Sequence, residues 1–149
     1  MNDADIVKIL APCGLSCGKC CAFSGGEIQQ GARMLADGLG ENFGVYARRF
    51  ASMNGIFEHY QKFRDLLDFF AEGSCSSCRD KGCLFKECKV TACAKDRKVD
   101  FCFQCTDFPC DSHGFPAPLA ERWRANNEHM KAVGVEEYYN KIKDKPRYP

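Results

Sequence analysis

Ile56, Tyr60, Phe63, Leu67 and Phe70 recur in alternating steps of four and three, the spacing that lines one face of an α-helix. Glu58, Lys62, Arg64, Asp65 and Asp68 fall between them and supply the solvated face. A second stripe, Phe43, Tyr46, Ala47, Phe50 and Met53, has Asn42 placed to cap its start and Asn54-Gly55 placed to stop it. A weaker third stripe, Ile28, Ala32, Leu35 and Leu39, closes at Gly40. Further on, Leu119, Trp123, Met130 and Val133 predict a helix ended by Gly134, and a shorter helix through Tyr138 and Tyr139 ended by Pro146. The stretch "FAEGSCSSC" from Phe70 to Cys78 reads as a loop entry, with Gly73 breaking the helix before it. No alternating run predicts a strand. The expected fold is mostly α, a small helical domain with irregular, knuckle-like cysteine loops and little or no β-sheet. The aromatic stripes are read as core packing rather than as a cofactor box, because a helix buries one face with such residues.

Cysteine changes this picture. The chain has 12 cysteines in 149 residues, with none from Ala22 to Ser74 and none after Cys110. We expect one domain over 1–149: an N-terminal cysteine motif at 11–21, a helical part at 27–72, a cysteine-rich part at 75–110 and C-terminal helices at 116–145. Hydrophobic content of 45% and charged content of 28% are ordinary for a folded protein, and a net charge of +1 gives no field aimed at an acidic partner. The start, "MNDADIVKILAPCG", is acidic with a short apolar part, whereas an export signal needs a basic start and about 7–15 apolar residues. No run approaches the roughly 18 apolar residues of a membrane span. The expectation is a cytoplasmic protein with no membrane partner. In a reducing compartment, clustered thiols are metal ligands in preference to disulfides.

The spacing supports ligation. Residues 75–110 hold eight cysteines, among them the C-x2-C pairs Cys75/Cys78 and Cys102/Cys105. Two residues between the sulfurs let both reach one zinc ion at about 2.3 Å. In a local scheme, Cys75, Cys78, Cys83 and Cys88 close one site, and Cys93, Cys102, Cys105 and Cys110 close a second. A ribbon scheme instead joins the two C-x2-C pairs across the zone. The local scheme is preferred because short loops close at low entropic cost. At the start, "CGLSCGKCC" places Cys13, Cys17 and Cys20 at C-x3-C-x2-C spacing, followed by Cys21. Three ligands leave a zinc site one short. The fourth is expected from the dense zone, which would staple the start of the chain to its second half. Cys21, adjacent to Cys20, is read as a small buried hydrophobe.

C-x3-C-x2-C also opens the iron–sulfur site of radical enzymes. Those enclose their substrate in barrels of about 250 residues, which this chain is too short to form. An iron–sulfur cluster without radical chemistry is the stronger rival, since clusters also take four thiolates. The ferredoxin run is nevertheless absent, and proline precedes the last cysteine in "FPC". Zinc, two to three ions, is the expected cofactor and an iron–sulfur cluster the alternative.

"CGLSCGKC", "CSSC", "ECKVTACA" and "FCFQCTDFPC" together resemble a family of small cysteine-rich bacterial and archaeal proteins of unknown function. The resemblance covers roughly residues 11–112 and implies metal binding, zinc foremost, with no established reaction. It carries over to Cys13, Cys17, Cys20, Cys75, Cys78, Cys88, Cys93, Cys102, Cys105 and Cys110. The spacing before Cys88 departs from the family pattern, which bears on Cys83. Cys21 stands where the pattern has another residue.

The remaining candidates are weaker. Of the three histidines, His113 follows Cys110 closely enough to stand in as a ligand, though a solvated loop histidine is the preferred reading; His59 and His129 are read as surface residues. Arg79, Lys81, Lys86, Lys89, Lys95, Arg97 and Lys98 outnumber Asp80, Glu87 and Asp96, seven against three, a net of +4. Nucleic acid is less favoured than a protein partner, because a tetrathiolate zinc is doubly negative and nearby cations offset it. No Ser-His-Asp set or phosphate loop appears, so an enzyme is not the preferred reading; the enzymatic alternative is a zinc site left open at the N-terminal trio. Tyr138, Tyr139 and Tyr148 are taken as exposed aromatics hinting at a contact surface. The expected function is a binding or interaction module whose metals are structural.

Overall fold

The computed structural model describes residues 3–148, without the side chain of Asp3. Eight α-helices follow in order: α1 Asp3–Ile9, α2 Glu27–Leu39, α3 Phe43–Phe50, α4 Tyr60–Glu72, α5 Cys78–Lys81, α6 Val90–Asp96, α7 Ala117–Val133 and α8 Val135–Ile142. Short 3-10 turns occupy Cys17–Lys19, Gly55–His59 and Cys102–Gln104. No strand forms among the described residues; two isolated bridges, Leu10 to Ser16 and Phe23 to Cys75, are the only β-type pairings there. The mostly-α expectation is met. The chain divides into two compact units, Met1–Gly18 with Ser76–Pro149, and Lys19–Cys75.

The first unit is built around Ile6, Leu10, Phe101, Met130 and Tyr138, all buried. α8 packs on both α1 and α7, and the Cys102–Gln104 turn rests on α7. Polar side chains then tie distant backbone together. Asn127, fully buried on α7, accepts from the Phe103 N–H at 3.0 Å and donates to the carbonyls of Pro12 and Trp123 at 3.4 and 3.1 Å. Arg79 donates to Val7 O at 2.7 Å, to Leu10 O at 3.0 Å and to Asp100 O at 2.7 Å. It thereby satisfies carbonyls at the end of α1 that the helix leaves without partners. Its guanidinium also lies 5.3 Å over the Phe101 ring. Gly14 has φ +83°, and a Cβ there would stand 2.6 Å from Cβ of Asn126. The close approach of this loop to α7 therefore requires glycine.

Tyr138 departs from expectation. Far from being an exposed contact aromatic, it is 3% exposed and belongs to the core. Its hydroxyl donates to Gly14 O at 2.7 Å, so the polar tip is satisfied and the ring can be buried. Tyr139 packs partly buried against the same core, while Tyr148 is exposed.

In the second unit α2 and α4 lie side by side, joined by a buried amide. Gln29 accepts from Gly25 N–H at 2.7 Å and donates to Ala71 O and Glu72 O at 3.2 and 2.9 Å. α4 ends at Gly73 in the left-handed region, φ +62°, as the break after Phe70 predicts. A Cβ at that glycine would overlap the Gln29 amide, so the helix stop and the helix pair share one requirement. The predicted stripes form helices but bury less than expected. Of Ile56, Tyr60, Phe63, Leu67 and Phe70, only Leu67 is fully buried, and Ile56 is 64% exposed. Ile56 sits in a 3-10 turn because Asn54 accepts its N–H at 3.1 Å and starts that turn, so the α-helix begins only at Tyr60. Met53 lies past the end of α3 and is 81% exposed. The rings instead contact one another in a chain, Phe43 to Tyr60 at 5.1 Å and Phe50 to Phe57 at 5.4 Å between centroids.

Candidate metal centre

The first unit holds nine of the twelve cysteines, Cys13, Cys17, Cys78, Cys83, Cys88, Cys93, Cys102, Cys105 and Cys110; the second holds Cys20, Cys21 and Cys75. No disulfide joins any of them among the described residues.

Within the first unit four thiols form a row. Cys17 opens the 3-10 turn of the N-terminal motif. Cys78 starts α5, whose first turn is capped by Ser77, accepting the Asp80 N–H at 3.2 Å. Cys83 lies just beyond α5, and Cys88 just before α6. The side chains of Cys17 and Cys78, of Cys78 and Cys83, and of Cys83 and Cys88 are in hydrogen-bonding contact. Ionisation alternates along the row. The Cys78 thiol donates to Cys17 and holds it down to about 6; Cys83, beside Cys78 and Cys88, is held far down as well. Cys78 and Cys88 keep their protons, pushed up chiefly by the neighbours to which they donate. Four adjacent sulfurs cannot all ionise without a cation among them. Cys13 lies close enough to feel Cys17 and Cys83, and burial pushes its thiol up.

Two guanidiniums face this row. Arg79 and Arg147 both favour the Cys17 thiolate. Arg79 is the cation expected beside the thiols; Arg147, fixed by donating to Ser16 O at 2.6 Å, escaped sequence reasoning because it lies outside the cysteine zone.

The first local set is not what forms: Cys17 stands in the row where Cys75 was expected, and Cys75 belongs to the second unit. The second local set shares one cavity. Cys93, Cys102, Cys105 and Cys110 line one cavity of about 30 Å³ with His113 and Trp123. Cys102 and Cys105 bracket a turn closed by Cys105 N–H to Cys102 O at 3.0 Å. Gln104 braces it by accepting from the Asp100 and Phe101 N–H groups at 2.9 and 3.0 Å. Cys102 is pushed up to about 11 by burial, against the Trp123 indole, which favours its thiolate. His113 is not the solvated loop residue expected. It is half-buried, its ring stacks on Phe115, and its Nδ1 accepts the Phe115 N–H at 2.8 Å. With Nδ1 so engaged, the neutral ring carries its proton on Nε2 and offers a donor there, not a ligand lone pair. His129 is likewise half-buried, edge-on to Tyr138, while His59 is exposed as expected.

The donor chemistry fits a thiophilic cation, since two disjoint sets of four cysteines each lie in one unit. The thiol geometry is open: among the described residues, no three His, Cys, Asp or Glu side chains converge closely enough to enclose an ion.

Residues 9–114 match the family described as protein of unknown function (DUF3795). The chain belongs to this family. No curated protein and no solved structure matches it. The DUF3795 match takes in every cysteine, as the cysteine motifs led us to expect; it also includes His113 and stops short of α7 and α8. Trp123 and Arg147, which act on those cysteines, therefore lie beyond the DUF3795 region.

Proposed function

We propose that the chain is a metal-binding module in which zinc, held by thiolates, organises the cysteine-rich unit and leaves the surface free to bind a protein partner in a reducing cytoplasm. The observation that carries this reading is the row Cys17–Cys78–Cys83–Cys88. It unites the N-terminal motif with the dense zone, and such a gathering of soft donors has little use in a small core other than holding a soft ion. A structural ion contributes on the order of 10 kcal/mol to a small site. Protein is favoured over nucleic acid because cations of the dense zone are already engaged: Arg79 with three carbonyl groups, and Arg97 with Asp107 at 2.6 Å. No helix among the described residues is long and apolar enough to cross a membrane.

The test is elemental analysis and a visible spectrum of protein purified without oxygen, followed by chelation. The expected protein is colourless and carries zinc, and its first unit loses protease resistance when chelated. Iron with matching sulfide would replace this reading by an electron carrier or sensor. Chelated protein that keeps its circular dichroism and protease resistance would remove the structural role.

A further inference from the structure

The single tryptophan of the chain sits against the second cysteine set. Trp123 is 3% exposed, and its indole nitrogen finds no partner of proper hydrogen-bond geometry among the described residues. A buried N–H left in that state is destabilising unless something accepts from it. Trp123 stands in the wall of the cavity that Cys93, Cys102, Cys105 and Cys110 also line, within reach of the Cys102 side chain. The indole is also held in place: the Phe108 ring meets it edge-on at 5.1 Å, and the His113 ring lies 4.9 Å away. A fixed, unpaired N–H donor beside four thiols is the arrangement seen in the outer shell of thiolate metal sites, where N–H groups stabilise the sulfur charge.

We infer that the cavity lined by Cys93, Cys102, Cys105 and Cys110 is a metal site of its own, separate from the Cys17–Cys88 row, taking a thiophilic divalent cation such as Zn²⁺ with the Trp123 indole N–H as outer-shell donor to Cys102. The inference rests on the metal-binding reading above and adds to it a second, independently filled site with a built-in reporter. The row and this cavity share no cysteine, so each can fill alone. Binding replaces four S–H protons, released to solvent, by four metal–sulfur bonds; no electron moves. His113, its Nδ1 already engaged, lines the site without ligating.

The experiment is titration of reduced, metal-free full-length protein with Zn²⁺ and Co²⁺, following Trp123 fluorescence and the cobalt–thiolate absorption, with metal content counted at the end point. Wild type is expected to take an ion at each site, with the fluorescence change belonging to the second site alone. The double variant C83S/C88S should lose one ion and keep the fluorescence response. C102S/C105S should lose one ion and the response together. Trp123→Phe should still fill both sites but bind one of its Co²⁺ ions 10–100-fold more weakly, the usual cost of an outer-shell partner. The inference is overturned if C102S/C105S binds as many ions as wild type, or if wild type binds at the row only and Trp123 stays silent. It is overturned in its outer-shell part if Trp123→Phe binds both ions as wild type does. Protein that takes no metal at all sinks the metal-binding reading itself, which separates the two failures. Should C102S/C105S fail to fold, the Trp123→Phe titration decides.

Discussion

The two units solve the same problem of holding helices together with different materials. The cysteine-rich unit buries large apolar side chains, Phe101, Ile6, Leu10 and Met130, and ties loops to them through Asn127 and Arg79. The helical unit between Lys19 and Cys75 has more aromatic rings in its helices, yet its buried residues are Ala22, Gly26, Gln29, Ala32, Ala47 and Leu67. Nine large hydrophobic side chains there are exposed, from Met34 to Phe69. The cysteine loops, which look irregular, therefore accompany the denser core, and the regular amphipathic helices accompany the shallower one. Regular helix needs only its own backbone bonds and one covered stripe. Irregular loops leave backbone groups that must be satisfied one by one, by side chains such as Asn127 and Arg79.

The sharpest probe of this contrast is a pair of amides, one in each unit, each making three hydrogen bonds to backbone. Asn127→Ala strands the Phe103 N–H inside the core and should cost about 3 kcal/mol, seen as an earlier urea transition of Trp123 fluorescence. Gln29→Ala frees the Gly25 N–H and the last carbonyls of α4. Water reaches that helix end, and Arg33 still donates to Ala71 O at 2.9 Å, so about 2 kcal/mol is expected. Hydrogen exchange should place the loss in α2 and α4. A Gln29 variant as damaging as the Asn127 one would show the helical unit to be as tightly specified as its neighbour and would break the comparison.

These amides also mark where sequence reading stops. Apolar spacing predicted α2, α3, α4, α7 and α8, because period and glycine stops at Gly40, Gly73 and Gly134 are local properties. The same spacing ranked Ile56 and Phe63 as core and passed over Gln29, because periodicity locates a face and says nothing of what covers it. The grouping of Cys93, Cys102, Cys105 and Cys110 was legible from short loops. The contact of Cys17 with Cys78 was legible only as a staple of unspecified partner: sixty residues intervene, and spacing carries no information over that distance. Arg147 and the donor at Trp123 are products of how α7, α8 and the last residues pack, and no motif announces them.

Tyr138 gives the smallest effect and the cleanest sign. Burial first, and the nearby Cys13 second, push its hydroxyl up to about 12, against about 10 in the unfolded chain. The folded state thus holds a proton that the unfolded state releases earlier, so stability falls as pH rises between those values. The contribution is fully present below pH of about 10 and is lost through about 12. Tyr138→Phe cannot titrate there. Near neutral pH it should be less stable than wild type by about 1 kcal/mol, the worth of the lost bond to Gly14 O. Above pH of about 10 the two stability curves should converge and then cross. Urea midpoints across this range read the outcome directly. A constant gap would mean that the hydroxyl titrates alike in both states and that the core around Gly14 is as open to water as the helical unit.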